Sequence, residues 1–495
     1  MLLIDHFLYY NFMLKLCIDM KVLVINTNRH NQPFPVMPLG ACMVAEALEH
    51  AGHRVSMLDF MFEADPFSAL RRNLTDSHFN VVGLSIRNID NNDMRSPEFF
   101  LEGLPDLVRN IRKISEAKIV IGGAAVGVMP EEILRFSGAD YAILGDGEYV
   151  MPELLSSIED GDGVTPPGIA RISDGVFHSV PRSAAAFSGT CILPDFSRWI
   201  DVRAYLSRMS TVPLQTKLGC RYKCVYCTYR KIEGETYRLC SPECVVETVH
   251  KLASKGLKDI EFVDNVFNSP YDHAMEICRL LKTRKHGARL QSLELNPTFV
   301  DDALIDAMEG AGFVGVGITV ESASDNVLRS LRKSFTLQDV HNAASVIKKY
   351  KLPCIWIFLL GGPGESRKTV EETFAFAEHY VRPKDAVFFN IGVRVYPGTE
   401  LDTIARERGL LDLPPRDMLR PVFYLSPDIE PEWLSERVSV FLKTHMNVMD
   451  STSLGLPFLP ALHKIGHKIG MKPPLWKHTP AIRRFLQYTG IYTYR

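Results

Sequence analysis

Cys220, Cys224 and Cys227 lie in Gly219-Cys-Arg-Tyr-Lys-Cys-Val-Tyr-Cys, so one short loop supplies three thiolates at C-x3-C-x2-C spacing. Soft thiolates suit zinc or an iron–sulfur cluster. A four-iron cluster held by three of them keeps one iron open to a further ligand, whereas a structural zinc closes with a fourth protein ligand. The competing readings are a zinc loop or three buried thiols. The other seven cysteines (17, 42, 191, 240, 244, 278, 354) are scattered. Cys240 and Cys244 form a second C-x3-C pair. It either binds another cluster or flanks a helix start, with Ser241 as N-cap and Pro242 in the first turn.

A loop of this kind needs a frame that aims it. After the strand candidate Thr211–Thr216, strand candidates recur at Asp259–Val263, Ser292–Leu295, Val314–Val320, Cys354–Leu360 and Val387–Val395. Helical patterns lie between them, near Glu243–Lys255, Tyr271–Lys282, Asp301–Ala311 and Leu337–Lys349. Upstream, Val22–Asn26, Val55–Asp59, Val81–Ile86, Lys118–Ile121 and Tyr141–Leu144 alternate with helices, which predicts a parallel doubly wound sheet. Ligands of such sheets sit beyond the carboxyl ends of the strands. The loops to read there are Thr27–Pro38, Arg87–Asp93, Gly122-Gly123-Ala-Ala and Gly145-Asp-Gly147-Glu148.

The chain of 495 residues has room for two or three domains. It is 46% apolar and 23% charged, near the average for globular proteins, and its net charge of −2 gives no bulk argument for nucleic acid. With no bilayer-length apolar run, signal peptide or disulfide framework, a reducing cytoplasm is expected. The expected division is an extension over 1–19, a doubly wound domain over 20–160 and a Gly/Pro/Ser/Ala-rich linker over 161–195. The cysteine-bearing domain follows over 196–410, then a mainly helical segment over 411–495. That last segment holds the helical stretch Glu432–Met446. Its final 35 residues carry seven Lys/Arg and no acid, interleaved with Trp476, Phe485, Tyr488, Tyr492 and Tyr494. Such mixing marks either a helical cap with a solvated basic face or a peripheral membrane contact.

With Tyr226 directly before its last cysteine, the motif resembles the signature of the radical S-adenosylmethionine (SAM) superfamily. The domain ahead of it resembles the cobalamin-binding domain of one large subfamily. The resemblance spans about 80% of the chain. It implies a Rossmann-like cobalamin domain followed by a partial (β/α)6 barrel. It also implies a [4Fe-4S] cluster on Cys220, Cys224 and Cys227, SAM and cobalamin, and a flavodoxin- or ferredoxin-type electron donor. The implied SAM contacts are Tyr226, Asp264 or Asn265, Glu321, Ser322, Gly361, Gly362 and Tyr396, all at strand ends. Lys333 resembles either a SAM-carboxylate partner or an exposed helix-end lysine. The implied cobalamin contacts are Pro38, Leu39, Ser85, Arg87, Asn88, Gly122, Gly123, Gly145, Gly147 and Glu148.

The first loop reads Asn26-Thr-Asn-Arg-His-Asn and lacks the D-x-H-x-x-G of carriers whose histidine ligates cobalt. Cobalamin without a histidine ligand is therefore expected. Arg87 and Asn88 then face the lower side of the cobalt, unless Arg87 pairs with Asp90 or Asp93. The subfamily implies methylation of an unactivated carbon: one SAM methylates the cobalamin, and a second is cleaved to a 5'-deoxyadenosyl radical that activates the substrate. The two domains must then pack face to face. Ring closure, ring contraction or oxidation with the same cofactors is the alternative, and a corrinoid or redox sensor is the alternative of another class. The substrate class stays open among small molecules, lipids and peptides.

Overall fold

The computed structural model describes residues 19–161, 164–181, 193–451 and 458–488. The expected extension lies outside them except for Asp19, as do Cys17, Cys191, Tyr492 and Tyr494.

The first sheet is built from β1 (Lys21–Asn26), β2 (Arg54–Asp59), β3 (Val81–Ser85), β4 (Lys118–Gly122) and β5 (Tyr141–Ile143), all parallel, in the order β2-β1-β3-β4-β5. The run Val22–Ile25 is continuously apolar because both faces are covered. Val22 and Val24 enter one core cluster, Leu23 and Ile25 the other. The chain order reverses between β1 and β3, so their carboxyl ends open a crevice. The stretch expected to be a bare linker contributes β6 (Ile169–Ser173) and β7 (Val176–Ser179), an antiparallel hairpin that extends the sheet beyond β5. The turn Asp174-Gly175 has both residues at positive φ, which suits a tight hairpin.

The second sheet is a partial barrel of β8 (Val212–Leu214), β11 (Asp259–Phe262), β12 (Arg289–Leu295), β13 (Phe313–Glu321), β14 (Cys354–Leu360), β15 (Ala386–Ile391) and β18 (Val448–Asp450). All are parallel, in the order β18-β15-β14-β13-β12-β11-β8. Two short ribbons decorate its mouth: β9 (Lys217–Leu218) with β10 (Arg238–Leu239), and β16 (Val393–Arg394) with β17 (Phe423–Tyr424). Ile260, Phe262, Ile318, Trp356 and Phe358 pack outward against helices. Ser241 caps the helix Pro242–Ser254 by accepting from the Cys244 amide, so this C-x3-C pair does flank a helix start.

The seventh strand, β18, comes from the segment expected to be helical. The same segment closes the inner face of the barrel. Trp476 packs with Ile355, Ala386 and Met449, and a Cβ on Gly315 would run into Trp476 and Pro474. Buried Arg483 donates to the carbonyls of Leu442, His445 and Val448. This part of the basic tail is therefore a structural cap, while Lys464, Lys468, Lys472 and Arg484 stay exposed. No helix of the described residues is long and apolar enough to cross a membrane.

The two sheets share their cores and are pinned by polar bonds between them. Arg394 meets Asp90 at 2.8 Å with both side chains buried, Tyr205 donates to Asp59 at 2.8 Å, and Trp199 to Glu46 at 2.8 Å. The carboxyl ends of both sheets open onto one cleft.

Candidate functional site

The cysteine loop leaves β9 through Gly219, at φ +88°, where a Cβ would collide with the Thr236 carbonyl. Glu233 clamps its base, accepting from the Gly219 amide (3.0 Å), Gln215 (3.1 Å) and Asn265 (2.5 Å). Burial pushes the Glu233 carboxyl up to about 7, against those three donors. Cys220, Cys224 and Cys227 are all free thiols. Burial pushes Cys227 up to about 12, so the thiols bind metal by giving up protons.

A single zinc needs its sulfurs at about 2.3 Å. Among the described residues no three His, Cys, Asp or Glu side chains converge that way on one ion. Thiols spread over one loop fit a cluster in which each cysteine takes its own iron.

Beside the loop stands a charge cluster. Tyr226 donates to Glu321 Oε1, and Lys333 Nζ lies 3.3 Å from both that oxygen and the Tyr226 hydroxyl. Burial opposes the Lys333 charge, but Glu321 and the cysteines outweigh it and hold the ammonium above the ordinary lysine range. The helix Asp325–Ser330 ends with Arg332 at φ +51°, and the Lys333 amide turns back to the Leu328 carbonyl. That reversal aims Lys333 inward, so the exposed helix-end reading is wrong. Glu321 itself sits at φ +70°. A non-glycine residue there stores about 1–3 kcal/mol of strain, a feature that concentrates at functional sites.

Three of the implied SAM contacts are tied to neighbouring residues of the protein. Buried Asp264 accepts from Thr216 twice (2.7 and 2.6 Å) and from the Lys217 amide and ammonium (3.2 Å each). That fills a carboxylate's four lone-pair sites. Asn265 next to it keeps its oxygen unused. Ser322 is fully buried against Thr373. The space a Cβ of Gly361 would take is filled by Leu425, and the Gly361 and Gly362 amides both donate to buried Glu365. Tyr396 stacks on Arg394 at 4.6 Å and donates to Asn92.

The cleft between the sheets has a cavity volume of about 330 Å³ and opens to solvent. Of the ten implied cobalamin contacts nine line it: Pro38, Leu39, Ser85, Arg87, Gly122, Gly123, Gly145, Gly147 and Glu148. Asn88 does not. Barrel residues Pro213, Gln215, Leu218, Glu233 and Val263 complete the lining. Its lining mixes glycines and other small residues with aliphatic side chains such as Met37, Met43, Val44, Ile143 and Met151, which fits a large ligand with apolar edges. His30 sits outside it, stacked on Phe100 at 4.7 Å and 3.9 Å from Glu98.

Arg87 decides an open alternative. Asp90 is taken by Arg394, and Asp93 accepts from the Arg95 amide. Among the described residues Arg87 has no hydrogen-bond or ion-pair partner, and it projects into the cleft. Its pKa is nonetheless lowered by desolvation. A side chain that is exposed yet desolvated lines space inside the molecule.

Sequence patterning left Lys333 between two readings and gave no signal for Glu233. Each acts on residues at least twelve positions away or across strands, and only the left-handed Arg332 reversal and the short ribbon bring them in.

Comparison with known proteins agrees with this layout. Residues 215–377 match the radical SAM superfamily, and residues 26–155 match the B12 binding domain. An uncharacterized methyltransferase of Pyrococcus horikoshii is 27% identical over 386 residues, covering 76% of this chain and 79% of that protein. The tryptophan 2-C-methyltransferase of Streptomyces laurentii is 22% identical over 443 residues, covering 76% and 73%. The solved structure of the radical SAM methyltransferase TsrM from Kitasatospora setae, with tryptophan and a SAM analogue bound, superposes with a TM-score of 0.84 at 22% identity, over 96% of this chain and all of that one.

Proposed function

We propose that this chain, which belongs to the radical SAM superfamily and carries a B12-binding domain ahead of its barrel, transfers a methyl group to carbon on a small-molecule substrate. It is a cobalamin-dependent radical SAM enzyme, and the relatives named as methyltransferases support this reading. When bound, the cofactors supply one-electron cleavage of SAM at the cluster and a methyl carrier at the corrin.

What the protein itself does can be assigned residue by residue. Cys220, Cys224 and Cys227 hold three irons and leave a fourth for SAM. Lys333 is positioned to meet the carboxylate of SAM, with Glu321 and Tyr226 fixing its direction. Asn265 offers an acceptor to the SAM amino group. The glycines and small residues after β3, β4 and β5 admit the corrin edge and nucleotide tail. Arg87, cationic and without an ion-pair partner among the described residues, would lie in the cobalamin site and place a positive charge there. The mouth is walled by residues of both domains, which narrows the access of water to a radical reaction. The reducing compartment such a cluster requires places the enzyme in the cytoplasm, served by a flavodoxin- or ferredoxin-type donor.

The observation that carries the proposal is the common cleft. The strand ends that bear the glycine cradle and those that bear the cysteine loop open onto the same space. The test is anaerobic reconstitution with iron, sulfide and cobalamin, followed by SAM and a strong reductant. S-adenosylhomocysteine and 5'-deoxyadenosine are quantified with and without cell extract. Both should rise with extract, and labelled methyl should enter a small molecule. Deoxyadenosine without methyl incorporation would point instead to a non-methylating reaction.

A further inference from the structure

The inner face of the barrel carries polar groups to which cluster, SAM and cobalamin binding give no role. Alternation along β11 turns Glu261 inward between outward-packing Ile260 and Phe262. Glu261 Oε2 accepts from Thr211 (2.6 Å) and from Gln291 Nε2 on β12 (2.7 Å). Glu294, also on β12, accepts at Oε2 from Thr319 (2.9 Å). The Oε1 atoms of both glutamates have no partner among the described residues. Gln291 is only 4% exposed, and its own Oε1 is buried without a partner. Three acceptor oxygens therefore lack a protein donor among the described residues; the one on Gln291 is buried, where an unpaired acceptor is costly, and the two glutamate oxygens are open to a ligand.

Two cations face this region, Lys333 toward Glu294 and Arg87 toward Glu261. Lys333 is bonded to Glu321 and Tyr226, and Arg87 forms no ion pair with either glutamate among the described residues, so both Oε1 atoms stay open to a ligand. Burial pushes the Glu294 carboxyl up to about 7, with nearby Glu321 adding to it. Tyr229, 46% exposed, lies within electrostatic range of Glu294 and Arg87 and so borders the same region. Leu293, Ile357 and Phe388 supply an apolar wall, packed against Trp476 and its neighbours below.

We propose that Glu261, Glu294 and Gln291 are specificity-determining residues that select a small substrate bearing a cationic, donor-rich nitrogen group, such as an amine or amidine, on an apolar body. The nitrogen donates to the three unused oxygens while the body lies on Leu293, Ile357 and Phe388. A carboxylate or phosphate in that place meets like charge and unpaired acceptors and is rejected. The assignment rests on the reading of the barrel mouth as the reaction site.

The test uses three isosteric probes, phenethylamine, 2-phenylethanol and 3-phenylpropionate, titrated calorimetrically into the cluster- and cobalamin-loaded enzyme. The amine should bind about tenfold or more tighter than the alcohol, and the acid weakest. Glu294→Gln should reduce the amine's advantage about tenfold while leaving SAM affinity and the thermal midpoint unchanged. Glu261→Gln, which preserves the bonds to Thr211 and Gln291, should do the same. Equal or reversed preference, no binding by any probe, or a variant that weakens SAM as much as the amine would each overturn the proposal. Amine preference in an enzyme that cleaves SAM without transferring methyl would leave this inference standing and remove the methyl-transfer reading instead.

Discussion

The cleft of the first domain and the mouth of the barrel were approached with the same rule, that ligands meet strand ends, and the rule performed differently in the two. In the first domain nine of ten implied residues line the cleft. In the barrel, Asp264, Ser322 and Gly361 are tied to neighbouring residues of the protein. The difference is chemical. The first cleft is lined mostly by small and aliphatic residues, whose side chains have no hydrogen bonds to satisfy. The barrel mouth is lined by polar side chains, and a buried polar side chain must find a partner. In a parallel barrel the nearest partner is the next strand.

The largest effect expected is at the cysteines. Replacing Cys220, Cys224 and Cys227 with alanine should abolish iron and sulfide uptake and all 5'-deoxyadenosine formation, while cobalamin still binds with unchanged affinity. Loss of cobalamin binding in that variant would show the two regions to be one folding unit and void the comparison.

The sharper test lies between two neighbours. Asp264→Asn leaves Lys217 buried beside a neutral partner, which costs about 3–5 kcal/mol of folding stability. Asn265→Ala, which removes one of three donors to Glu233, should cost less, about 1–3 kcal/mol, and weaken SAM binding about tenfold to a hundredfold, as expected for one hydrogen bond to a charged group. If both variants lose SAM affinity with equal stability, Asp264 is a ligand contact after all.

The same chemistry explains what was legible in the sequence. The parallel sheets could be read because their strands are apolar runs such as Val22–Ile25 and Cys354–Leu360, separated by periodic helices. The cysteine loop was legible because three thiols at fixed spacing have few other uses. The hairpin β6–β7 was missed because its strand Val176–Ser179 is largely exposed and lacks an apolar pattern. Strand β18 was missed because three residues, Val448–Asp450, are too few to show a period. Lys333 was misjudged because its direction depends on the dihedral of Arg332, which composition does not encode.

Glu365 gives the comparison a pH dependence. Burial pushes its carboxyl up from the ordinary 4.5 to about 8, against the Gly361 and Gly362 amides that favour the charge. An acid whose folded pKa is raised keeps a proton that the unfolded chain releases. Its contribution is full below about 4.5 and is lost as pH rises through about 8. A tenfold difference in proton affinity between the folded and unfolded chain is worth about 1.4 kcal/mol, so a few kcal/mol of pH-dependent stability is expected over this window. Urea denaturation of Glu365→Gln should show a flatter stability profile between those limits. An unchanged slope would mean that the buried carboxyl is ionised.

In the first cleft the corresponding test is steric. A Cβ on Gly122 meets only ordinary contact with Ile143, at 3.5 Å. Gly122→Ala should therefore fold normally, and Gly122→Leu, reaching further into the cleft, should weaken cobalamin about tenfold at an unchanged thermal midpoint. Normal binding by the leucine variant would remove the glycine cradle from the cobalamin site.

Arg87 should have the smallest effect on affinity and the most informative one. It is the cationic side chain in a lining that is otherwise mostly small and aliphatic, and it reaches the cleft because Arg394 has taken Asp90. Arg87→Met keeps length and bulk and removes the charge. Cobalamin should still bind within about threefold, since an exposed charge contributes little to affinity. A cation beside the cobalt favours its electron-rich state, so the variant's bound cobalamin should become harder to reduce in a potentiometric titration followed by its absorbance. An unchanged potential would place Arg87 away from the cobalt, and the first cleft would then obey the barrel's rule: even there, a polar side chain's type and position do not reveal its partner.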